Sequence, residues 1–470
     1  MNQTNTPTPA TQAQTPETQT QETAQKPKEN KMGTMPVGKL LAVMSLPTVF
    51  SMLIQALYNI VDSIFVSYYS EKALTAVSLA FPMQTLMMSF SIGTAVGICS
   101  VISRRLGEKR EEEASLAAQS GYALEMIFMV CFVLIGIFLA RPFTKLYTDD
   151  EELVQMTVTY IRICLTLSIG SFLNIFCEKS LQATGDTIHP MIIQASGAIF
   201  NVIFDPILIF GYFGFPALGV AGAAYATVAG QFFAMFLGII FLKRNKYLNV
   251  KFLKPTFSAN EGKDILKVGV PSIIMQGIGT VMTSLMNAIL IAYNVLATTV
   301  FGVYFKLQSF VFMPIFGMNS GLMPILGYNY GARNKERMMK ALKLGLIFAF
   351  LYMALGTIVF CLIPDALLGL FNASDQLKAL GEVALRRISL TFPLAAISII
   401  LGALFQAMGD GLLSMIISIV RQIFFLIPSA WLLGRLFGLD AIWFSFMVAE
   451  FFALILSLVF FKRQLKKLNF

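Results

Sequence analysis

The chain has 470 residues, of which 56% are hydrophobic and only 13% are charged, and its mean hydropathy is +0.71. This composition lies far outside the range of soluble globular proteins and indicates a protein of the lipid bilayer. The formal net charge of +9 comes from basic residues spread over separate loops between apolar segments, which argues against a nucleic-acid-binding surface.

The first 35 residues differ from the rest of the chain. Residues 1–35 consist mainly of Thr, Gln and Pro, with few large apolar side chains. Such a segment cannot bury enough apolar surface to fold, so we predict a disordered cytoplasmic tail. It has no short apolar core followed by a small-residue cleavage site, so we predict no cleavable signal peptide.

Apolar stretches long enough to cross the ~30 Å hydrocarbon core recur along the remaining sequence. We predict twelve transmembrane helices, because α-helices satisfy their own backbone hydrogen bonds in lipid and these stretches lack the alternation of barrel strands. Numbered 1 to 12, the predicted spans are 44–68, 76–103, 115–140, 153–177, 187–211, 219–242, 268–292, 298–326, 340–363, 382–405, 411–433 and 439–461.

The two halves of the chain are related as an internal repeat. Residues 182–186 read QATGD and residues 406–410 read QAMGD, and the same register aligns Pro47 with Pro271. Because each copy holds six spans, both copies enter the membrane from the same side and are related by an axis along the membrane normal. We predict an all-α polytopic membrane protein of two pseudo-symmetric six-helix bundles. Its parts are an N-lobe (36–244), a cytoplasmic linker (245–263) and a C-lobe (264–470).

Basic residues concentrate on one side of this predicted topology. Both tails and the loops after spans 2, 6 and 8 are rich in Lys and Arg. The opposite side holds only Lys72, Arg141, Lys145, Lys378 and Arg435. The positive-inside rule therefore places both termini in the cytoplasm, and we expect a multi-pass protein of the cytoplasmic (inner) cell membrane.

The sequence offers little for enzyme chemistry. It contains one histidine and five cysteines, and the cysteines lie in apolar runs or at their ends. No phosphate-binding loop, zinc-ligand spacing or Ser/His/Asp constellation is present. We therefore predict that the protein is not an enzyme and has no cofactor and no structural metal site.

Asp62 is the clearest candidate for chemistry within a span. An ionisable residue at the centre of a transmembrane helix costs about 2.5–3.5 kcal/mol on insertion scales, so it indicates function by default. The alternative is a carboxylate that reaches to the outer interface. Tyr58 precedes Asp62 by one helical turn, and we predict that it faces the same cleft.

A second group of polar residues lies in spans 5 and 6. Asn201 and Asp205 are one helical turn apart and point to the same face. Pro206 has no N–H for the carbonyl of Val202, so a free oxygen lies in the same turn. Such a set of oxygens suits Na⁺ or a proton, and the alternative is an ordinary proline kink. Thr227 is weaker evidence alone, because threonine within a span usually bonds its own backbone.

The second half has different polar residues at the corresponding depth. The candidate cleft residues there are Gln276, Lys306, Arg421 and Glu450. The two basic side chains either pair with acidic groups or line the cleft, or they extend to the interface. The internal register pairs Asp62, Asn201, Asp205 and Thr227 with Met286, Phe425, Ser429 and Phe446. The proposed coupling site is therefore predicted in the first copy alone.

Three prolines within the predicted spans are candidate hinges. They are Pro47, Pro206 and Pro271. Each removes one backbone hydrogen bond from its helix and permits bending. A static kink is the alternative.

Several motifs together resemble one family of transporters. They are YNIVD at 58–62, QATGD at 182–186, NVIFDP at 201–206, GAA at 222–224 with Thr227, and PILGYNYGA at 324–332. Over roughly residues 36–467 the chain is similar to the multidrug and toxic compound extrusion (MATE) family. It most resembles the bacterial MepA-like members, near the DinF-type branch.

The resemblance implies a twelve-helix, two-lobed exporter. Such a protein exchanges lipophilic, often cationic, drugs and toxic compounds for H⁺ or Na⁺ by alternating access of its lobes. The N-lobe site of the DinF-type branch matches Asp62, Asn201, Asp205 and Thr227 here, and the bending proline of span 1 matches Pro47. We expect small-molecule substrates, the bilayer as environment, no nucleic acid and function as a monomer.

Two departures from the family pattern keep alternatives open. Where another branch has an acidic residue in span 7, this chain has the neutral Gln276. Lys306 and Arg421 fit poorly with exclusively cationic substrates, so anionic and zwitterionic compounds are kept as alternative substrates. The alternative function is a flippase for a lipid-linked cell-envelope precursor.

Overall fold

The computed structural model describes residues 1–2, 30–371 and 373–468. In this part of the chain, ten helices are long and apolar enough to cross a membrane. Two further pairs of helices, each bent by 47°, bring the number to twelve when each pair counts as one span. The described residues contain no β-strand. The predicted all-α, twelve-span architecture is therefore confirmed.

The helices keep the numbering of the predicted spans. Spans 1 to 6 are Val37–Tyr69, Glu71–Gly107, Glu111–Phe138, the pair Glu151–Thr166 and Ile169–Ala183, Ile188–Phe210 and Val220–Lys243. Spans 7 to 12 are Ala259–Tyr293, Val295–Gly331, Lys335–Leu362, the pair Asp375–Ser389 and Phe392–Ala407, Gly411–Phe437 and Leu439–Lys466. Because the number of spans is even, residues 30 and 468 lie on the same side of the molecule. We call it the termini side and the other the far side.

Spans 4 and 10 are bent where the sequence predicted continuous helices. In span 10 the bend has a clear cause, since Pro393 stands at the start of the helix Phe392–Ala407. Proline lacks the N–H that an uninterrupted helix would need there and is well suited to a first helical turn. The internal repeat is visible in the bends themselves, because spans 4 and 10 correspond and bend by the same 47°.

The predicted tail is too long at its C-terminal end. Residues 3–29 lie outside the described residues, but Lys31–Thr34 form a short helix with Met32 fully buried. Asn30 fixes this helix to the N-lobe, because its side-chain amide donates to the carbonyl of Thr184 at 2.9 Å. Its side-chain oxygen also accepts from the backbone of Met32. The tight turn of the QATGD motif supplies the partner that the tail sequence alone does not reveal.

The predicted linker also ends too late. Span 7 begins at Ala259, so the connecting segment stops at residue 258. The polar residues that suggested a linker instead form the first turns of the helix. Glu261 is one of them and is only 5% exposed, because it pairs with an arginine of the other lobe.

The two lobes meet through glycines that the internal repeat duplicates. A Cβ on Gly107 would lie 2.0 Å from the carbonyl oxygen of Tyr328, and one on Gly331 would lie 2.1 Å from that of Arg104. The repeat aligns Gly107 with Gly331 and Arg104 with Tyr328, so this is one contact made twice. Only glycine permits backbones to approach so closely.

The same duplication continues along the interface toward the middle of the spans. Gly93 faces the backbone of Ile273, and its repeat partner Gly317 faces that of Val49. Hydrogen bonds accompany these contacts, since the Thr48 hydroxyl donates to the carbonyl of Gly317 at 2.7 Å. In the described residues, the hydrogen bonds between the lobes all lie in the termini-side half of the spans. The lobes are therefore closed on the termini side.

A cluster of charges links the lobes at the edge of this closed side. The Arg105 guanidinium at the end of span 2 lies 3.0 Å from Glu261 and 3.1 Å from Asp264 of span 7. It also lies 3.2 Å from Glu108 and 3.3 Å from Glu113. The arginine thus neutralises acidic groups of both lobes only while the termini side is closed.

We expect Arg105→Gln to lower the stability of the purified protein. The change leaves Glu261 buried without a cation. Its cost should be about 1–3 kcal/mol, less than a fully buried pair because Arg105 keeps some contact with water. Thermal unfolding in detergent measures the loss, with Arg110→Gln, at a 56% exposed side chain, as control. Equal melting temperatures for Arg105→Gln and the wild type would contradict a stabilising role.

Candidate cation-coupling site

Asn201 connects spans 5 and 6 at the centre of a buried polar cluster in the N-lobe. Its side-chain amide donates to Asp205 Oδ1 at 3.4 Å and to Thr227 Oγ1 at 3.3 Å. Asp205 is fully buried, and Asn201 and Thr227 are 2% and 8% exposed. The three residues predicted on these helices are therefore brought together.

Span 1 completes the cluster. The Asp62 carboxyl group is the neighbour of the Asp205 carboxyl group, and the Tyr58 hydroxyl lies beside Thr227. Asp62 is only half-buried, unlike Asp205. The two carboxyl groups therefore differ in access, with Asp62 on the more open side of the site.

Several oxygen atoms of the cluster lack partners. Asp62 Oδ1, Asn201 Oδ1 and Asp205 Oδ2 are buried and accept no hydrogen bond from any described group. Buried polar atoms are normally paired, because leaving them unpaired is costly. A bound cation would satisfy them. Oxygen atoms of carboxylates, amides and hydroxyls suit Na⁺, and two adjacent carboxylates suit a shared proton, so the donor set fits both.

Two side chains from spans 2 and 4 border the cluster and were not predicted. The Gln84 amide lies 3.5 Å from the Tyr160 hydroxyl and 3.6 Å from Cys164 Sγ. Tyr160 lies near Asp62 and Tyr58. The sequence gives only a weak indication of their role, because a single glutamine or tyrosine within an apolar run is common.

The corresponding place in the C-lobe is aromatic. Phe425, which the repeat aligns with Asn201, stacks on Phe452 with a centroid distance of 4.0 Å. Phe446, aligned with Thr227, packs against Tyr304 at 6.1 Å. The duplicated scaffold thus carries an oxygen-rich cluster in one copy and stacked rings in the other.

The predicted cleft residues of the C-lobe do not form one site. Arg421 Nη1 donates to Glu450 Oε1 at 3.0 Å, in a π-helical stretch of span 11, Val420–Leu426. Lys306 lies apart, with its ammonium 5.9 Å from the ring centroid of Phe371. Gln276 is exposed. Arg421 therefore pairs within its own lobe, whereas Lys306 and Gln276 stay separate from that pair.

All three candidate hinge prolines lie inside helices. Pro47 is within span 1, Pro206 within span 5 and Pro271 within span 7. The carbonyl of Val43, which Pro47 leaves without a helical donor, accepts from the Thr187 hydroxyl at 3.3 Å. The start of span 5 therefore contacts span 1 at the turn that Pro47 interrupts, and this hydrogen bond joins the two helices that carry Asp62 and Asp205.

The fold and the cluster together define a class of protein. Two six-helix lobes closed at one side, with a pair of adjacent acidic residues within one lobe, are typical of a multi-pass membrane transporter with alternating access. The family model described as MatE matches residues 47–207 and 271–432. The two matches begin at the prolines that the internal repeat aligns. The chain belongs to the MatE family, so it is an efflux transporter and not an enzyme.

Several curated relatives are similar over most of the chain. A multidrug export protein MepA of Staphylococcus haemolyticus is 27% identical, with 88% of this chain and 90% of the relative covered. The probable multidrug resistance protein NorM of Thermotoga maritima is 27% identical over 90% and 92%. A FAD transporter of Shewanella oneidensis is 25% identical over 84% and 88%.

Solved structures of related transporters have the same fold. A transporter of the MOP superfamily from Pyrococcus furiosus, described as having reversed polarity of its binding pocket, covers 95% of this chain and all of that chain. Its TM-score is 0.88 at 25% identity. A multidrug resistance MATE transporter in an outward-facing conformation has the same TM-score and identity, with 95% and 99% covered.

Proposed function

We propose that this transporter exports lipophilic, often cationic, compounds in exchange for H⁺ or Na⁺. The cluster of Asp62, Asn201, Asp205 and Thr227 carries the proposal, because its unpartnered oxygens make a cation site without a counterpart in the C-lobe. The names of the relatives MepA and NorM support drug-like substrates. We further propose that the termini side is cytoplasmic, since the basic loops lie there.

In this proposal the two carboxyl groups convert cation binding into a movement of span 1. An incoming cation that is shared by Asp62 and Asp205 offsets one of their two negative charges, which weakens their repulsion and favours their close approach. Because Asp62 is on span 1 and Asp205 on span 5, the approach shifts span 1 within the N-lobe, next to Pro47. A ligand can drive such a change only by binding one state more tightly than the other.

The direction of exchange follows from the side on which each state is open. In the state described here the lobes are closed on the termini side, so the cation enters from the far side and the exported compound leaves there. When the termini side opens, the cation is released to the cytoplasm and a new substrate enters. For a neutral compound, one elementary charge entering at a potential of 100 mV contributes ~2.3 kcal/mol. For one-to-one exchange with a monovalent cationic compound the two charge movements cancel, so the concentration gradient of the ion drives export.

An anionic substrate is the second candidate, and one lysine supports it. Lys179 Nζ contacts Gln182 Oε1 at 2.9 Å and Ser320 Oγ of the other lobe at 3.2 Å. No described acidic side chain lies within ion-pairing distance of it. Both hydrogen-bond partners of Lys179 are therefore neutral, and its acidic neighbour is Glu178, the preceding residue of span 4. The relative named FAD transporter fits this alternative.

Transport by purified protein in proteoliposomes distinguishes these candidates. We propose to impose a pH gradient and a Na⁺ gradient separately, with ethidium as the cationic probe and FAD as the anionic one. Ethidium uptake driven by one of the two gradients supports cation export and names the coupling ion. FAD uptake without ethidium uptake favours the second candidate. If neither probe moves under either gradient, the proposed function is wrong.

A further inference from the structure

A carboxyl group outside the cation-coupling cluster is sealed inside the N-lobe. Glu125, in the middle of span 3, is 0% exposed, and neither of its oxygens has a hydrogen-bond partner among the described residues. The Ser91 hydroxyl lies beside the carboxyl group but makes no hydrogen bond of normal geometry to it. One neutral hydroxyl does not offset the cost of a charged carboxylate in such surroundings. The site therefore holds the neutral, protonated form in this conformation.

Two hydroxyl groups of span 2 share this pocket. Ser91 and Thr94 are 1% and 0% exposed, and both hydroxyl oxygens are also without partners in the described part of the chain. Ser91 is the polar group next to the Glu125 carboxyl. Thr94 follows from the antiparallel register, because Gly121 faces Ile98 and one turn further along both helices places Glu125 at the level of Thr94.

The pocket lies one helix away from the contact between the lobes. Thr94 Cα would be only 3.3 Å from a Cβ on Gly269 of span 7, and the neighbouring Gly93 faces Ile273. Span 2 thus presents its hydroxyls to Glu125 on one face and meets the C-lobe on an adjacent face. Parting of the lobes would remove the cover over this part of span 2 and open a route for water.

No charged group compensates Glu125 from the helices packed against span 3. The titratable groups of these neighbouring helices include Cys99 on span 2, Lys267 on span 7, and Cys177, Glu178 and Lys179 on span 4. Glu178 and Lys179 interact with each other. Lys267 lies 3.9 Å from Asp410 instead. The nearest titratable group on span 3 itself is Tyr122, which packs on the rings of Phe176 and Phe252. A change of charge at Glu125 must therefore be matched by a proton or by water.

We propose that Glu125, with the hydroxyls of Ser91 and Thr94, is a second proton-binding site, separate from the Asp62 cluster. The proton is held while the termini side is closed. It is released when the lobes part and water reaches the carboxyl group. The assignment of a proton to Glu125 does not depend on the proposed function. The role of this proton in transport does rest on the proposed function.

Infrared spectroscopy of the purified protein tests the proton directly. A protonated carboxyl group has a C=O stretching band that shifts in D₂O. The double variant Asp62→Asn, Asp205→Asn lacks the two carboxyl groups of the coupling cluster, which would contribute to the same region of the spectrum. In that background we expect a remaining carboxyl band that is lost in Glu125→Gln. It should persist in Glu112→Gln, which changes an exposed glutamate of the same helix.

A second variant covers the case in which Glu125→Gln does not fold. Ser91→Ala leaves the carboxyl group in place and removes its hydroxyl neighbour, so we expect the same band to shift in position. A band that persists unchanged in Glu125→Gln, or that does not respond to Ser91→Ala, would overturn the proposal. Because neither readout requires transport, failure here is distinct from failure of the proposed export function.

The role in transport has its own expected result. In proteoliposomes, Glu125→Gln should lose the acceleration of ethidium uptake by a pH gradient, because a permanently neutral group cannot release a proton. Glu112→Gln should keep it. Full acceleration in Glu125→Gln would show that the proton at Glu125 is not exchanged during transport and would overturn this part of the proposal.

Discussion

Asp205→Asn should abolish export, to the level of cells that lack the transporter, and Asp62→Asn should do the same. Asparagine has nearly the shape of aspartate and can still bond Asn201, but it cannot take up a charge. Without charge the site no longer distinguishes the cation-loaded from the cation-free state, so cation binding has no free energy to give to the movement of span 1. Resistance of a drug-sensitive bacterial host to ethidium measures the effect.

The controls for this prediction separate loss of function from loss of protein. The amount of transporter in the membrane fraction should be unchanged in both variants. Asp149→Asn, at an exposed carboxylate of the loop before span 4, should retain full resistance. Wild-type resistance in both Asp62→Asn and Asp205→Asn would rule out the cluster as the coupling site.

Gly331→Ala should shift the transporter toward the state that is open on the termini side. Its added Cβ would lie 2.1 Å from the carbonyl oxygen of Arg104 in the other lobe, so the closed contact must separate. Overpacking of this kind costs about 1–3 kcal/mol, which corresponds to a change of about 5–150-fold in the ratio of the two states. The clash exists only while the lobes touch, so the cost falls on the closed state.

Distance measurement between spin labels at residues 112 and 336 tests this shift. Both positions are exposed, in the first turns of spans 3 and 9 on the termini side. We expect a longer main distance in Gly331→Ala than in the wild type. Gly302→Ala is the matched control, because Gly302 is in the same helix and a Cβ there meets nothing within 4 Å. Identical distance distributions in Gly331→Ala and the wild type would contradict the closed contact.

The sequence predicts the architecture well because span length and duplication are local signals. Twelve apolar stretches, and a repeat register that aligns Pro47 with Pro271, suffice for two lobes of six helices. The bends of spans 4 and 10 depend on packing between helices and were missed. The short helix Lys31–Thr34 is fixed in place by the hydrogen bond from Asn30 to Thr184 in the QATGD turn, 154 residues away. Composition alone could therefore not indicate that these residues are structured.

Part of the coupling cluster was predictable, because the spacing of residues along one helix is also a local signal. Asn201 and Asp205 are one turn apart on one helix, so their proximity follows from helical geometry. Gln84 and Tyr160 approach the cluster only through the packing of spans 2 and 4. Glu125 is the residue whose surroundings the sequence indicates least. It is fully buried in a part of span 3 where Gly121 lets Ile98 of span 2 approach closely. A glutamate near the middle of span 3 is visible in the sequence, but its enclosure by neighbouring helices is not.

Antiport at the Asp62 cluster requires that substrate entering on one side drives the coupling ion out on the other. Proteoliposomes with a pH indicator and a Na⁺ indicator inside, and the membrane potential clamped, would receive ethidium from outside. We expect entering ethidium to expel H⁺ or Na⁺, seen as a rise in internal pH or a fall in internal Na⁺. The response should be lost in Asp205→Asn and retained in Asp149→Asn. Ethidium entry without any ion leaving, or an equal ion response in Asp205→Asn, would contradict it.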